Sequence, residues 1–254
     1  MNFRSALLIA AIAAAMPFVT AAAQDRVALV VGNSTYNDGQ NRPRATGDAT
    51  AVAQLLRKMN FEVTLGTDLD RKGMQNVLGQ FLGKLGTAKI VFFFYAGRSI
   101  QMADDYLMPT DANLKSPLDA HTSSIEFETV LQELAKRGRT LACFVDTDRD
   151  ELQRKLHKAT AEFIPALQLP AQTAIVFATA PGTPRFPVKG EHSTMVAALL
   201  QDLPTPGEDI STVAKHIRRD IGLTTQGHQT PWEITNLTGD TYLVPAKQGV
   251  DAKP

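Results

Sequence analysis

Hydrophobic and polar positions form two kinds of segment along this chain. Short runs of β-branched and aromatic residues predict strands, and longer stretches with apolar residues at three- and four-residue steps predict helices. The predicted strands span residues 26–31, 61–65, 89–95, 140–145 and 173–180. The predicted helices span residues 49–59, 71–85, 127–136, 193–203 and 209–221. Asp48 is the expected N-cap of the first helix, and Asp209 or Ser211 that of the last.

Two of the strands, "IVFFFY" and "LACFV", are apolar at nearly every position. Such strands are covered on both faces, as parallel strands beneath helices must be. The sequence therefore predicts a three-layer α/β sandwich, with a mostly parallel sheet and helices on both faces. Because ligands of such sheets bind at the carboxyl ends of the strands, the residues that follow Val31, Tyr95, Val145 and Ala178 are the candidate site. The segment from 184 to 190 is predicted as a loop.

The first 23 residues differ from the rest of the chain. Arg4 gives a positive start, residues 6–19 are apolar, and the segment ends in Ala21-Ala22-Ala23. This pattern predicts a cleaved signal peptide at residues 1–23 and a periplasmic or secreted protein. The alternative is an uncleaved membrane anchor, although the apolar stretch is shorter than a membrane-spanning helix. After cleavage we expect no stable membrane insertion.

The remaining chain is predicted to hold one domain at residues 24–246 and a loose tail at 247–254. Lys plus Arg equals Asp plus Glu, at 26 each, so the overall charge does not favour nucleic acid or an anionic membrane as a partner. Cys143 is the only cysteine and permits no internal disulfide. We expect it to be buried, because an exposed thiol is a liability in an exported protein.

The sequence predicts neither a cofactor nor a metal site. "GNSTY", after the first strand, lacks the glycine spacing of a nucleotide-binding loop, and no strand is followed by a Walker lysine. "DLDRKG", from Asp68, begins like a calcium loop, but Lys72 and Gly79 occupy positions that need oxygen ligands. The five histidines are scattered without metal-ligand spacing.

Several motifs together resemble one family. "YAGRSI" follows the third strand and "VDTDRD" the fourth, and they are accompanied, in order, by "RVALVVGNSTY", Gly47-Asp48-Ala49, "YLMPTDA", "AIVFATAPG" and "QTPWEITNLTGDTYLVP". As a set they resemble caspase-like cysteine peptidases, in particular the bacterial orthocaspase and metacaspase branch, over residues 26–245. The resemblance implies a caspase-like fold.

The resemblance also implies where catalysis would occur. In that family a histidine is the general base, a cysteine is the nucleophile, and the glycine after the histidine donates a backbone N–H to the oxyanion hole. Arg98 stands at the histidine position, Ser99 at the glycine and Asp148 at the cysteine. Arginine stays protonated and cannot act as a base, and a carboxylate nucleophile would need an acid and a base of its own. Cys143, within an apolar strand, is no substitute. The catalytic site is therefore predicted to be degenerate.

Arg98 and Asp148 carry opposite charges at positions that face each other in active relatives. This predicts a structural ion pair in place of the catalytic dyad. Two alternatives remain: Arg98 is a surface-loop residue without a role, or it pairs with Asp146 or Asp48 instead.

Asp48 and Asp146 resemble the carboxylates that hold a basic substrate side chain in metacaspase-like members of the family. They are the predicted substrate-binding residues. The alternatives are that both cap helices or pair with basic residues such as Arg149, or that Arg98 itself fills the pocket.

The leading functional prediction is an exported caspase-fold pseudopeptidase that binds a peptide or protein, with basic residues as the recognised feature. An active caspase-like relative is one candidate partner. The first alternative is a cysteine-type endopeptidase specific for basic residues that works with non-standard catalytic groups. The second is a structural scaffold domain without a ligand in the cleft.

Overall fold

A computed structural model describes residues 25–101, 105–114, 116–149, 167–180, 183, 185–187 and 189–246, without the side chains of Gln101, Pro117, Ala120, Asp148 and Arg149. The strands in these ranges are β1 Arg26–Gly32, β2 Glu62–Thr67, β3 Ile90–Gln101, β4 Asp105–Leu107, β5 Ile125–Glu126, β6 Thr140–Arg149, β7 Thr173–Phe177 and β8 Trp232–Thr235. The helices are α1 Ala45–Lys58, α2 Arg71–Lys84, α3 Pro117–Ser123, α4 Phe127–Ala135, α5 Thr194–Asp202 and α6 Ile210–Thr224. The predicted signal peptide and the tail from residue 247 lie outside the described residues.

The strands form one sheet in the order β2-β1-β3-β6-β7-β8. The first five of these strands are parallel to one another, and β8 pairs antiparallel with β7 at the edge. The short strands β4 and β5 form an antiparallel extension on the end of β3. The predicted three-layer sandwich with a mostly parallel sheet is confirmed. The short pieces β4, β5 and α3 and the edge strand β8 were not predicted.

Helices cover both faces of the sheet, as the apolar strands require. On one face, Phe92 and Phe94 of β3 pack with α1, α5 and α6. On the other face, Phe93 and Tyr95 pack with α2 and α4. Successive strand residues point to opposite faces, so an unbroken apolar run supplies both cores at once.

The third and fourth predicted strands are longer than their apolar runs. We predicted that they end at Tyr95 and Val145, but β3 continues to Gln101 and β6 to Arg149. Pairing keeps the polar residues extended, because β6 follows β3 to the end and β4 pairs with the last part of β3. Arg98 therefore lies within a strand and not after one.

The start of α1 also differs from the prediction. The helix begins at Ala45, and its N-cap, Arg44, makes no side-chain cap. Asp48 lies in the first helical turn and is not the cap, so its carboxylate is available for contacts outside the helix. The choice at α6 is settled in favour of Asp209, which accepts hydrogen bonds from the backbone N–H groups of Ser211 and Thr212.

Cys143 is fully buried in the core between the sheet and the helices α2 and α4, as predicted. Burial raises the pKa of its thiol well above the ordinary range. Within the described part of the chain, no helix is long and apolar enough to cross a membrane.

Candidate functional site

The site lies where the chain leaves the carboxyl ends of β1, β3 and β6. After β1 the chain forms the loop that carries Tyr36 and Asp38. Asp68 holds the start of this loop, because its carboxylate accepts the backbone N–H groups of Ser34 at 2.6 Å and of Thr35 at 2.9 Å. Asp68 and Asp70, the acidic residues of the calcium-like segment, both accept backbone N–H groups, since Asp70 caps α2 through Gly73.

Arg98 is the most unusual residue of the site, a cation with only 2% of its surface exposed. Its guanidinium Nη1 lies 2.7 Å from a carboxylate oxygen of Asp38, an ion pair with hydrogen-bond geometry. The guanidinium also lies over the ring of Tyr36, 5.0 Å from its centroid. A charge-assisted hydrogen bond and a cation–π contact both stabilise a buried cation.

Two tyrosine hydroxyls fix the backbone on either side of Arg98. The N–H of Arg98 donates to the Tyr36 hydroxyl at 2.8 Å. The hydroxyl of Tyr95 lies 2.9 Å from the Arg98 carbonyl and 2.8 Å from that of Met108, and it donates to this pair. A Cβ atom at Gly97 would stand 2.7 Å from the Tyr36 hydroxyl and 2.8 Å from that of Tyr95. Only glycine allows this close approach.

The charge of Asp38 is stabilised by its contact with Arg98. Partial burial by itself would raise the pKa of Asp38, but the hydrogen bonds from Arg98 and from the Gln40 N–H outweigh burial and lower it. The contact with Arg98 therefore favours the anionic form of Asp38. The alternative in which Arg98 is a surface residue without a role is wrong, because the side chain is buried and paired.

Arg98 and Asp148 are direct neighbours across β3 and β6, with their Cα atoms in register. This register places the two backbone positions side by side on neighbouring strands. The side chain of Asp148 lies outside the described residues, so the Arg98–Asp148 ion pair stays a prediction. Asp38 was missed as a partner. It comes from a polar turn 60 residues earlier in the chain, where no local pattern indicates a contact with β3.

Ser99 lies next to Arg98 in β3, between paired strands on both sides. Its Cα pairs with Leu107 of β4 and with Arg149 of β6. Its hydroxyl donates to the Thr147 hydroxyl at 2.8 Å. Ser99 is thus a buried residue of the sheet, whereas an oxyanion donor must face a substrate carbonyl.

Asp48 and Asp146 line one pocket, as the sequence predicted. Its volume is about 290 Å³. Both carboxylates are almost completely buried, with 1% exposure each. The other lining residues come from the segment before α1 and its first residue, from β3, and from the loop before α5 and the first residue of α5: Asn41, Arg42, Pro43, Arg44, Ala45, Ala96, Arg185, Phe186, Pro187, Ser193 and Thr194.

Asp48 connects α1 to the N-terminus of α5. Its carboxylate lies 2.8 Å from Nδ1 of His192 and accepts the backbone N–H of Ser193 at 3.3 Å. Burial raises the pKa of Asp48, and the nearby charge of Asp146 raises it further, while the contacts with His192 and Ser193 offset part of the rise. The two acidic groups are therefore close enough to repel each other.

Asp146 pairs with Arg185, which no sequence signal indicated. Nη2 of Arg185 lies 3.2 Å from Oδ1 and 3.4 Å from Oδ2 of Asp146. Among the described residues that line this pocket, Arg185 is present and Arg98 is not. The alternative in which Asp146 pairs with a basic residue is thus supported, and the partner seen is Arg185. The side chain of Arg149, which the sequence suggested, lies outside the described residues.

A metal-binding cluster was not predicted, and the described ranges contain no group of three or more His, Cys, Asp or Glu residues placed to hold a metal. The charged groups of the site are therefore two buried anions, a buried cation at position 98, and three cations that line the pocket, Arg42, Arg44 and Arg185.

The family model described as the caspase domain of peptidases matches residues 25–242. The chain belongs to the caspase-domain family. The predicted family is confirmed, whereas its orthocaspase or metacaspase branch stays a prediction.

Two curated proteins are similar to this chain in sequence. The human mucosa-associated lymphoid tissue lymphoma translocation protein 1 is 24% identical over 90% of this chain and 28% of its own length. The mouse homologue is 24% identical over 89% of this chain and 27% of its own length. The chain therefore spans little more than a quarter of these relatives.

Among solved structures, the crystal structure of caspase-1 from Spodoptera frugiperda superposes with a TM-score of 0.63. The match covers 90% of this chain and 93% of the caspase, at 16% sequence identity. At this identity the likeness shows the caspase-like fold and nothing about activity.

Proposed function

We propose that this protein is an exported caspase-domain pseudopeptidase that binds a peptide or protein partner through a basic side chain. The observation that carries the proposal is the burial of Arg98 in an ion pair with Asp38, at the position where the family resemblance expects the catalytic histidine. A general base must accept a proton, and a guanidinium cannot.

The pocket supports a binding role. Asp48 and Asp146 place two buried carboxylates beside a space of about 290 Å³. Buried anions gain most from a cation that enters the pocket, since electrostatic interactions are stronger where water is excluded. A lysine or arginine side chain of a partner fits this chemistry. An active caspase-like relative is one candidate partner. An inactive family member that binds a basic segment of an active relative would regulate that relative.

Binding to an uncleavable peptide with one central arginine tests the proposal. We expect the wild-type protein to bind this peptide and not the same peptide with norleucine in place of arginine. Asp146→Asn is expected to weaken binding about 10-fold or more, because a hydrogen bond to a charged group is worth about 1.5 to 3 kcal/mol. Fluorescence polarisation measures the dissociation constants.

Glu62→Gln is the matched control, because it removes an exposed carboxylate from the distant edge strand β2. Equal affinity for the arginine and norleucine peptides would contradict the proposal and favour the scaffold alternative.

Affinity should also increase as the pH rises through the raised pKa of Asp48, because the anion is the form that binds a cation. Asp48→Asn should remove this dependence. His192→Gln tests whether the contact of His192 with Asp48 contributes to this dependence.

Export gives a second test. We expect the mature chain to begin at or near Gln24, because Ala21 and Ala23 are the small residues that a signal peptidase requires. The intact mass of exported protein measures the start. Ala23→Arg should block cleavage, whereas Ala22→Leu, at the variable middle position, should not. Exported protein that still carries Met1 would refute the cleaved signal.

A further inference from the structure

Arg185 belongs to the loop between β7 and α5 and lines the same pocket as Asp48 and Asp146. We propose that Arg185 is a built-in occupant of the basic-side-chain pocket, whose guanidinium an arginine of the partner must displace. This inference rests on the proposed binding function. Arg185 is the group that competes with the partner, and arginine is the partner side chain that the pocket recognises.

The contact places a cation where a ligand's cation would go. Asp146 is 1% exposed, so little water compensates its charge. Arg185, with 21% of its side chain exposed, reaches Asp146 from the solvent side at 3.2 and 3.4 Å. A buried carboxylate without a cation is costly, and Arg185 reduces that cost in the unbound protein.

The residues after Arg185 show that this contact is built into the fold. The N–H of Phe186 donates to Oε1 of Gln229 at 3.0 Å. Gln229 is itself buried, and its Nε2 donates to the carbonyl of Ala178, at the end of β7, at 2.9 Å. The Phe186 ring stacks on His228 at 4.8 Å, with 9° between the ring planes. The loop is thus anchored to the sheet directly beside the position that carries the cation.

The contact is nevertheless weaker than such a pair can be. Charge-assisted hydrogen bonds between nitrogen and oxygen are typically about 2.7 to 2.9 Å long. Both Arg185 distances are longer, and Oδ1 of Asp146 has no directed hydrogen bond within the described part of the chain. A partner guanidinium that approaches Asp146 in a bidentate geometry can make the short, directed hydrogen bonds that Arg185 does not make. Lysine, with a single ammonium centre, cannot reproduce that geometry.

Self-occupancy lowers the apparent affinity for a partner. If the pocket is free for only a fraction of the time, the measured dissociation constant increases by the inverse of that fraction. Removal of the internal cation should therefore strengthen binding, which is the opposite of what is expected for an arginine that contacts the ligand.

Arg185→Ala tests the inference with the arginine peptide and its norleucine analogue. We expect Arg185→Ala to bind the arginine peptide about 10-fold more tightly than the wild-type protein. Lys189→Ala, which removes an exposed positive charge from the same loop, should change the affinity less than about 2-fold. The gain should disappear when Asp146→Asn is added. Circular dichroism checks that the variants fold, and Arg185→Met, which keeps the apolar stem, serves if the alanine variant does not.

Equal affinity of the wild-type and Arg185→Ala proteins would overturn the internal occupant and leave the proposed function intact. An equal gain from Lys189→Ala would also overturn it, because the effect would then come from the general charge of the loop.

A second measurement does not depend on the peptide. Agmatine carries a guanidinium on a short chain, and it should raise the melting temperature of Arg185→Ala but not that of the wild type or of Arg185→Ala with Asp146→Asn. If agmatine raises the melting temperature of Arg185→Ala only, while neither the wild type nor Arg185→Ala binds the peptide, the result would support Arg185 as the internal occupant and refute the proposed peptide function. If agmatine stabilises none of these proteins and no peptide binds, both proposals fail.

Discussion

Arg98→Ala is expected to lower the free energy of unfolding by about 2 to 4 kcal/mol. Loss of one partner of a buried ion pair costs about 3 to 5 kcal/mol, and the value here should fall toward the lower end because water can reach Asp38. The Asp38 side chain is 33% exposed, against 2% for Arg98. The variant also loses the contact with the Tyr36 ring. Urea unfolding measures the difference.

Arg57→Ala is the control, since Arg57 is an exposed residue in the last turn of α1 and its removal should change stability by less than about 0.5 kcal/mol. A double-mutant cycle with Asp38→Ala should give coupling above about 1 kcal/mol.

Because the pKa of Asp38 is lowered in the folded state, its stabilisation is present above about pH 4 and is lost as the pH falls through the lower, folded value. Coupling that persists unchanged at strongly acidic pH would contradict the ion pair.

The same cycle between Arg98 and Asp148 tests the ion pair predicted from the sequence. Their backbone positions are in register on neighbouring strands, so we expect coupling here as well. Coupling near zero between Arg98 and Asp148, together with clear coupling between Arg98 and Asp38, would show that Arg98 pairs with Asp38 and not with Asp148.

No measurable hydrolysis of Arg- or Lys-directed peptides is the second large effect that we expect, with or without calcium. Loss of the nucleophile or the base alone lowers turnover about 10⁶-fold in a serine protease, and the motif resemblance places Arg98 and Asp148 at these two positions. Cys143 cannot replace them, because it is fully buried and burial raises the pKa of its thiol. Fluorogenic peptides compared with buffer and with Asp148→Ala measure the residual rate.

Two outcomes would contradict an inactive site. Turnover abolished by Cys143→Ala alone would favour the cysteine-type endopeptidase. Turnover that survives both Asp148→Ala and Cys143→Ala would place the active site elsewhere. Labelling with an electrophilic peptide that carries a basic residue gives an independent readout, since only an active nucleophile forms the covalent product.

The architecture was predictable from the sequence because each apolar run specifies two cores. "IVFFFY" and "LACFV" required helices on both faces, and the structure provides them. The ends of β3 and β6 were not predictable in the same way. Beyond Tyr95 and Val145 the residues become polar, and only pairing with neighbouring strands keeps them extended. Hydrophobic patterns do not report such pairing.

The site was predictable where it depended on strand ends and unpredictable where it depended on loops. Asp48 and Asp146 line one pocket because α1 packs on β1 and β3, and β3 lies next to β6 in the sheet. Arg185 and Asp38 reach the site from irregular segments, 39 residues from Asp146 in one case and 60 residues from Arg98 in the other. Asp48 was misassigned as a helix cap because its contact with His192, 144 residues away, has no local signal.

The contacts of the buried Arg98 guanidinium make this position unsuited to a histidine. A histidine there is shorter and largely uncharged near neutral pH, so it would separate from Asp38 and fill less of the space beside Tyr36. A histidine at this position would thus lower stability, whatever it contributed as a base. The packing around Arg98 and the presence of a general base therefore make opposite demands on the same position.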